Sequence, residues 1–137
     1  MGTLSKEEIV RQFKGFIHCS QVVLTQWAEE LGYNKDEASR MAAPLGGGMF
    51  RGDTCGAVAA AMIAIGMRYG HSELGDMEGN AAMIAKANEF LTKFREKHGS
   101  NVCRELCGFD FSQAGQFEAA LASGVLFEKC PDLDEIM

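Results

Sequence analysis

Residues 55–69 read CGAVAAAMIAIGMRY, with apolar or small side chains on nearly every face of a helix. A helix that is apolar all round belongs in the interior, with other elements packed about it. Gly56, Ala57, Ala60 and Ala61 add little bulk, so neighbouring helices can approach its backbone closely. Asp53 or Thr54 stands ahead of it as a candidate cap. The expectation is a buried central helix over residues 54–69, rich in Ala, Gly and Met.

The flanking sequence supplies further helices. Ser5 followed three residues later by Glu8 is a capping-box pattern that opens a helix through KEEIVRQFKG. A break is expected at residues 15–18, before a second helix over CSQVVLTQWAEELG that Gly32 stops. Asn34 can cap a short helix over KDEASRMAA, ended by Pro44. Asp76 can cap a long helix, MEGNAAMIAKANEFLTKFREKH, with Ile84, Ala87, Leu91 and Phe94 as its inner stripe and Gly99 as its stop. Short helices are expected over NVCRELC, SQAGQFEAALAS and PDLDEIM. No alternating β-branched run, repeat or linker interrupts this pattern. The fold expected is all-α, one compact helical bundle over residues 1–137.

Charge and hydropathy narrow the partners. The net charge of −6 argues against nucleic acid and anionic membrane surfaces, which attract basic patches. No apolar run approaches the roughly 20 residues of a membrane span. The opening MGTLSKEEIV has no long apolar core of a signal peptide, and Lys6 occupies the position where a myristoylation signal wants Ser or Thr. These readings place the chain in the cytoplasm.

Ahead of the central helix, residues 44–57 read PLGGGMFRGDTCGA. GGMFRGDT nearly fits a phosphate-binding P-loop, but Asp53 replaces the lysine and would repel phosphate, and helix rather than strand precedes it. The glycines are better read as a close turn that brings Cys55 into the first turn of the central helix, facing a cleft. Amides exposed there would lower its thiol pKa, provided Asp53 caps those amides and does not face the sulfur.

Five cysteines stand in the chain: Cys19, Cys55, Cys103, Cys107 and Cys130. Disulfides are rare as structural elements in a reducing cytosol, so the surplus points to redox work or metal binding. Cys19, Cys55, Cys103 and Cys130 fall near expected helix N-termini, where the dipole favours a thiolate. Cys130 occupies the cap position before Pro131, the first helical residue.

Cys19, then GGGMFRGDTCGAVAAAMIAIGMRYG, then Cys103 in NVCRELCG and Cys130 before Pro131 resemble the C_GCAxxG_C_C family, small redox-active proteins with four characteristic cysteines and a CGAxxG motif. The resemblance spans about residues 19–131. It implies that Cys19, Cys55, Cys103 and Cys130 are the redox-active set. Cys55, Gly56 and Ala57 match the motif, Ala60 replaces its last glycine, and Cys107 lies outside the four.

Three functions fit the residues. The first is thiol redox chemistry, a thiol-based oxidoreductase acting with a redox partner or thiol substrate. Cys103 and Cys107 lie four apart, with Cβ atoms about 5–6 Å apart in a helix, beyond the roughly 3.8 Å of a disulfide, so pairing between helices is the simpler arrangement. The second is a metal or prosthetic-group site holding zinc, an iron–sulfur cluster or haem, with Cys103 and Cys107 as ligands from one face. Intervals of 36, 48, 4 and 23 residues include no CxxC knuckle, and CRELCG lacks the histidine of a haem-attachment motif. His18 and His71 read as capping or surface residues, and His98 suits the last turn of a helix. The third is an assembly module, a homodimer formed through the small-residue helix and some of the eight methionines, although methionine at helical spacing more often fills a core, as Trp27 and Phe90 would.

Overall fold

A computed structural model describes residues 4–133. Its helices are α1 (Lys6–Lys14), α2 (Cys19–Ala28), α3 (Lys35–Ala42), α4 (Gly56–Tyr69), α5 (Met77–His98), α6 (Cys103–Cys107), α7 (Gln116–Ser123), α8 (Val125–Glu128) and α9 (Cys130–Leu133). The architecture is an all-α bundle, as expected. Of the last expected helix, residues 134–137 lie outside the described region.

Local chemistry starts the helices where the sequence indicates. Ser5 Oγ accepts from the Glu8 amide at 3.2 Å, Asn34 Oδ1 from the Glu37 amide at 2.9 Å and Asp76 Oδ1 from the Gly79 amide at 2.8 Å. Only half of the capping box at Ser5 forms, because the Glu8 carboxylate takes a bidentate bond from Arg11 at 2.8 and 2.6 Å instead. That pairing holds the Glu8 carboxyl at about 2. The break at residues 15–18 is present: Gly15 ends α1 and Phe16 turns the chain at φ 70°.

The core lies where α2 crosses α4, with α3 packed on α2 and α5 on α4. Val23, Leu24, Ala57, Val58 and Ala60 are wholly buried there, and Ile63 is partly buried. Two buried polar groups stitch α2 to α3. Ser20 Oγ donates to the Ala42 carbonyl at 2.7 Å, and Gln21 Nε2 to the Ser39 carbonyl at 3.2 Å. Each offsets the desolvation cost of an interior polar side chain.

Three expectations change. Ile84 is 44% exposed, whereas Ala87 and Phe94 are buried. At 3.6 residues per turn, Ile84 sits about 80° round α5 from Phe94, outside the stripe that a single packed neighbour covers. Among the described residues methionine flanks the core and does not fill it: Met41, Met49 and Met77 are exposed, and Met62 and Met67 pack against it partly buried. Small residues on α4 draw the helices too close together to leave gaps for so long a side chain. Trp27 and Phe90 pack against the core, only partly buried.

Candidate functional site

The glycine run folds as two tight turns. Residues Ala43–Leu45 make a 3₁₀ turn containing Pro44. Gly47, Gly48, Met49 and Phe50 then follow with φ between 58° and 63°, one left-handed turn of backbone. For the two residues with a Cβ this conformation costs roughly 1–2 kcal/mol each. Close packing explains the glycines. A Cβ on Gly46 would lie 2.6 Å from His18 Cβ, and one on Gly48 would lie 2.5 Å from the Asp53 amide nitrogen and 2.7 Å from Cys103 Cβ.

Beyond the turn, residues 53–55 run beside residues 101–103. Asn101 accepts from the Cys55 amide at 2.8 Å, Asp53 accepts from the Cys103 amide at 2.6 Å, and Thr54 and Val102 form an isolated antiparallel bridge. The starts of α4 and α6 are thereby fixed side by side. Cys55 is the residue before α4, not a member of its first turn. The Asp53 carboxylate does not cap α4; it accepts from Arg104 Nη1 at 3.2 Å. Cys55 thus stands at the cap position of α4 with no side-chain cap bond, and the expected capping of the α4 amides by Asp53 is replaced by its pairing with Arg104.

Cys19 begins α2, Cys103 begins α6 and Cys130 begins α9, with Pro131 as the second residue of that helix rather than the first. Tertiary packing brings these residues together. Cys19, Cys55, Cys103, Cys107 and Cys130 all line one cavity of about 420 Å³. Its walls come from α1, the α1–α2 link, the starts of α2 and α4, the glycine turn and every helix from α6 to α9. Six phenylalanines (Phe13, Phe16, Phe50, Phe111, Phe117 and Phe127) share the lining, and among the described residues no Asp, Glu, Lys or Arg does. Ala60 is buried elsewhere in α4 and does not reach the cavity, so a ligand held there needs no bare backbone at 60.

Cys107 belongs to this group despite lying outside the four family cysteines. Its thiol shares a hydrogen bond with Cys103, which lowers its pKa to about 6 against the opposing effect of burial; backbone bonds from Phe109 and Cys107 and the charge of Lys129 assist. Its sulfur also lies 3.4 Å from the Phe109 carbonyl oxygen, a contact that suits the protonated thiol. The hydrogen bond between the two thiols is the largest cause of the shift. Cys103 is raised, first by that bond, then by burial, then by the neighbouring charges of Cys107, Cys55 and Cys19. The spacing of four between Cys103 and Cys107 was the sequence signal for this pair. Nothing in the irregular C-terminal third marked Phe111, Phe117 or Phe127.

The histidines are dispersed. His18 lines the cavity at the start of α2, its ring edge-on to Phe50 with centroids 5.1 Å apart, and burial lowers its pKa. His71 is exposed and bonds to Asn80 at 3.1 Å, and His98 ends α5 against Phe94. Among the described residues no three His, Cys, Asp or Glu side chains are grouped as a set able to hold a metal ion. No described helix is long and apolar enough to cross a membrane.

The family model described as "Putative redox-active protein (C_GCAxxG_C_C)" matches residues 17–134. The chain belongs to this redox-active family. Its members' label writes GCA where this chain reads Cys55-Gly56-Ala57. The matched span includes all five cysteines of the cavity. No curated protein and no solved structure matches the chain.

Proposed function

We propose that this family member is a two-electron thiol donor, a thiol-based oxidoreductase whose reactive pair is Cys107 and Cys103. The observation that carries this reading is the convergence of five cysteines from separate parts of the chain on one cavity. Structural cysteines have no reason to share a solvent-reachable wall, whereas exchange chemistry needs a thiolate and a second thiol within reach of it.

Cys107 supplies the attacking thiolate, since its thiol is the acidic member of the pair. It forms a bond to an electrophilic acceptor. Cys103 then attacks the Cys107 sulfur, a disulfide forms, and the acceptor departs with the electron pair. Two thiols lose two electrons and two protons, and the acceptor gains them. The α-helical distance between positions four apart is too long for a disulfide. However, α6 has only five residues and ends in left-handed Gly108, so closing the bridge requires only its last turn to open. Cys19, Cys55 and Cys130 form the rest of the thiol wall and can take the disulfide onward by exchange.

Graded oxidation of the reduced protein, followed by intact mass and peptide mapping, tests this. The expected product has lost two hydrogens, links Cys103 to Cys107, and forms reversibly between about −320 and −180 mV. Oxidation that yields no disulfide among the cavity cysteines would overturn the reading.

A further inference from the structure

Nothing so far identifies the acceptor, and the cavity wall constrains it. A charged disulfide such as oxidised glutathione would have to bring carboxylates against a lining that, among the described residues, is aromatic and aliphatic apart from its thiols and His18, and burying a poorly paired charge is costly. The lining offers aromatic faces and edges instead, which favour flat rings at offset or edge-on geometry. A cavity of about 420 Å³ suits a small organic molecule and falls in the ordinary range of ligand pockets.

A second observation points the same way. Among the described residues, three without glycine's freedom adopt a left-handed backbone: Phe16, Met49 and Phe50. Phe16 and Phe50 line the cavity while remaining 88% and 50% exposed. Two aromatic side chains are thus held on strained backbone at the cavity, largely in water, where folding alone gains little from them. Strain of this kind gathers at ligand clamps.

We propose that the cavity binds a neutral, ring-shaped two-electron acceptor of the quinone class, clamped between Phe16 and Phe50 and reduced by the cavity thiols. The proposal rests on the redox reading above. The Cys107 thiolate adds to a ring carbon, forming an S–C bond as one ring oxygen takes a proton. Cys103 attacks the Cys107 sulfur; the S–S bond forms and the S–C bond breaks, returning its electron pair to the ring. The second ring oxygen takes the proton Cys103 releases. The two thiols have lost two hydrogens and the quinone leaves as a hydroquinone.

The test mixes the reduced full chain with tetramethylbenzoquinone, which is fully substituted and so is not retained as an aryl adduct, and separately with oxidised glutathione. Saturable oxidation by the quinone is expected, with one hydroquinone per protein disulfide and glutathione slower by at least about a hundredfold. Phe16→Ala and Phe50→Ala, both exposed and so tolerable to the fold, should each raise half-saturation about three- to tenfold while leaving the disulfide midpoint unchanged. Binding of the redox-inert dimethyl ether of the hydroquinone, followed by ligand-observed NMR, separates the two levels. Binding that the Phe variants weaken, without thiol oxidation by any acceptor, would support the ring site and overturn the redox reading. Equal rates with glutathione and no ether binding would overturn the ring site and leave the redox reading standing. Quinone oxidation that does not saturate, or that ignores both Phe variants, would also overturn the ring site.

Discussion

The sulfur of Cys19 occupies the space where a side chain at Gly56 would begin: a Cβ there would lie 2.5 Å from Cys19 Sγ. The glycine beside Cys55 thus serves a neighbouring cysteine. It lets the start of α4 close on the start of α2 and holds two cysteines at one wall.

Gly56→Ala should therefore destabilise the protein by about 1–3 kcal/mol, the usual cost of overpacking. Relief in other directions is small, because the Leu45 carbonyl oxygen lies 3.0 Å from the same point. Urea unfolding measures the loss. Native alkylation should show Cys19 reacting faster than in the parent, since the new methyl displaces its sulfur. An unchanged Cys19 rate and unchanged stability would disprove the contact's importance.

The left-handed turn predicts a graded series. Gly48→Ala should be the most damaging, costing upwards of about 3 kcal/mol from backbone strain and a clash with the chain at Asp53. Gly47→Ala has similar backbone strain at φ 60°, but its nearest neighbour is the movable Phe111 ring at 3.3 Å. It should cost only about 1–2 kcal/mol. Thermal melts of the two variants should preserve this order.

Ala60→Gly restores the motif's last glycine and should not help. Ala60 is wholly buried in α4 and is not among the residues that line the cavity. The change removes helix propensity of about 1 kcal/mol and leaves a small void. Stability should fall while Cys107 alkylation stays at the parental rate. A gain in thiol reactivity would show that the position acts on the site.

The thiol pair predicts a pH dependence of opposite sign for its two members. Cys107 is depressed to about 6 from an ordinary 9.0, so its contribution to stability is present above 9.0 and is lost as pH falls through 6. Cys103 is raised, so its contribution is full below 9.0 and is lost as pH rises beyond that value. Stability should climb between about pH 6 and 9 and fall above it. Alkylation of Cys107 should be half-maximal near pH 6. Cys103→Ala should move that midpoint up towards an ordinary thiol value near 8.5. A midpoint unmoved by the substitution would remove the hydrogen bond as its cause.

Much of the architecture was legible from short-range signals. The caps at Ser5, Asn34 and Asp76 act within three residues, and the apolar character of residues 54–69 needs no partner to be read, although Gly66, Arg68 and Tyr69 at the end of α4 are exposed. The four cysteines near helix starts were placed correctly to within a residue or two, because helix ends are themselves local features. Periodicity extends the inner stripe of α5 to Ile84, which the fold leaves exposed, because periodicity alone does not say how many neighbours cover a helix. Asp53 departs from its expected capping role for a related reason: its partner, Arg104, lies 51 positions away.

Composition, cap chemistry and periodicity by themselves determined that this chain is helical, which helix is central and that its cysteines fall at element ends. Only the tertiary structure decided that all five cysteines share one aromatic wall and that Cys107, outside the four family cysteines, joins them there. The first set depends on interactions within a turn or two of helix. The second depends on α4 and α6 being tied through Cys55 to Asn101 and Cys103 to Asp53, and on where the last four helices pack. Such long-range closures are settled by the balance of packing across the whole chain, which no local window contains.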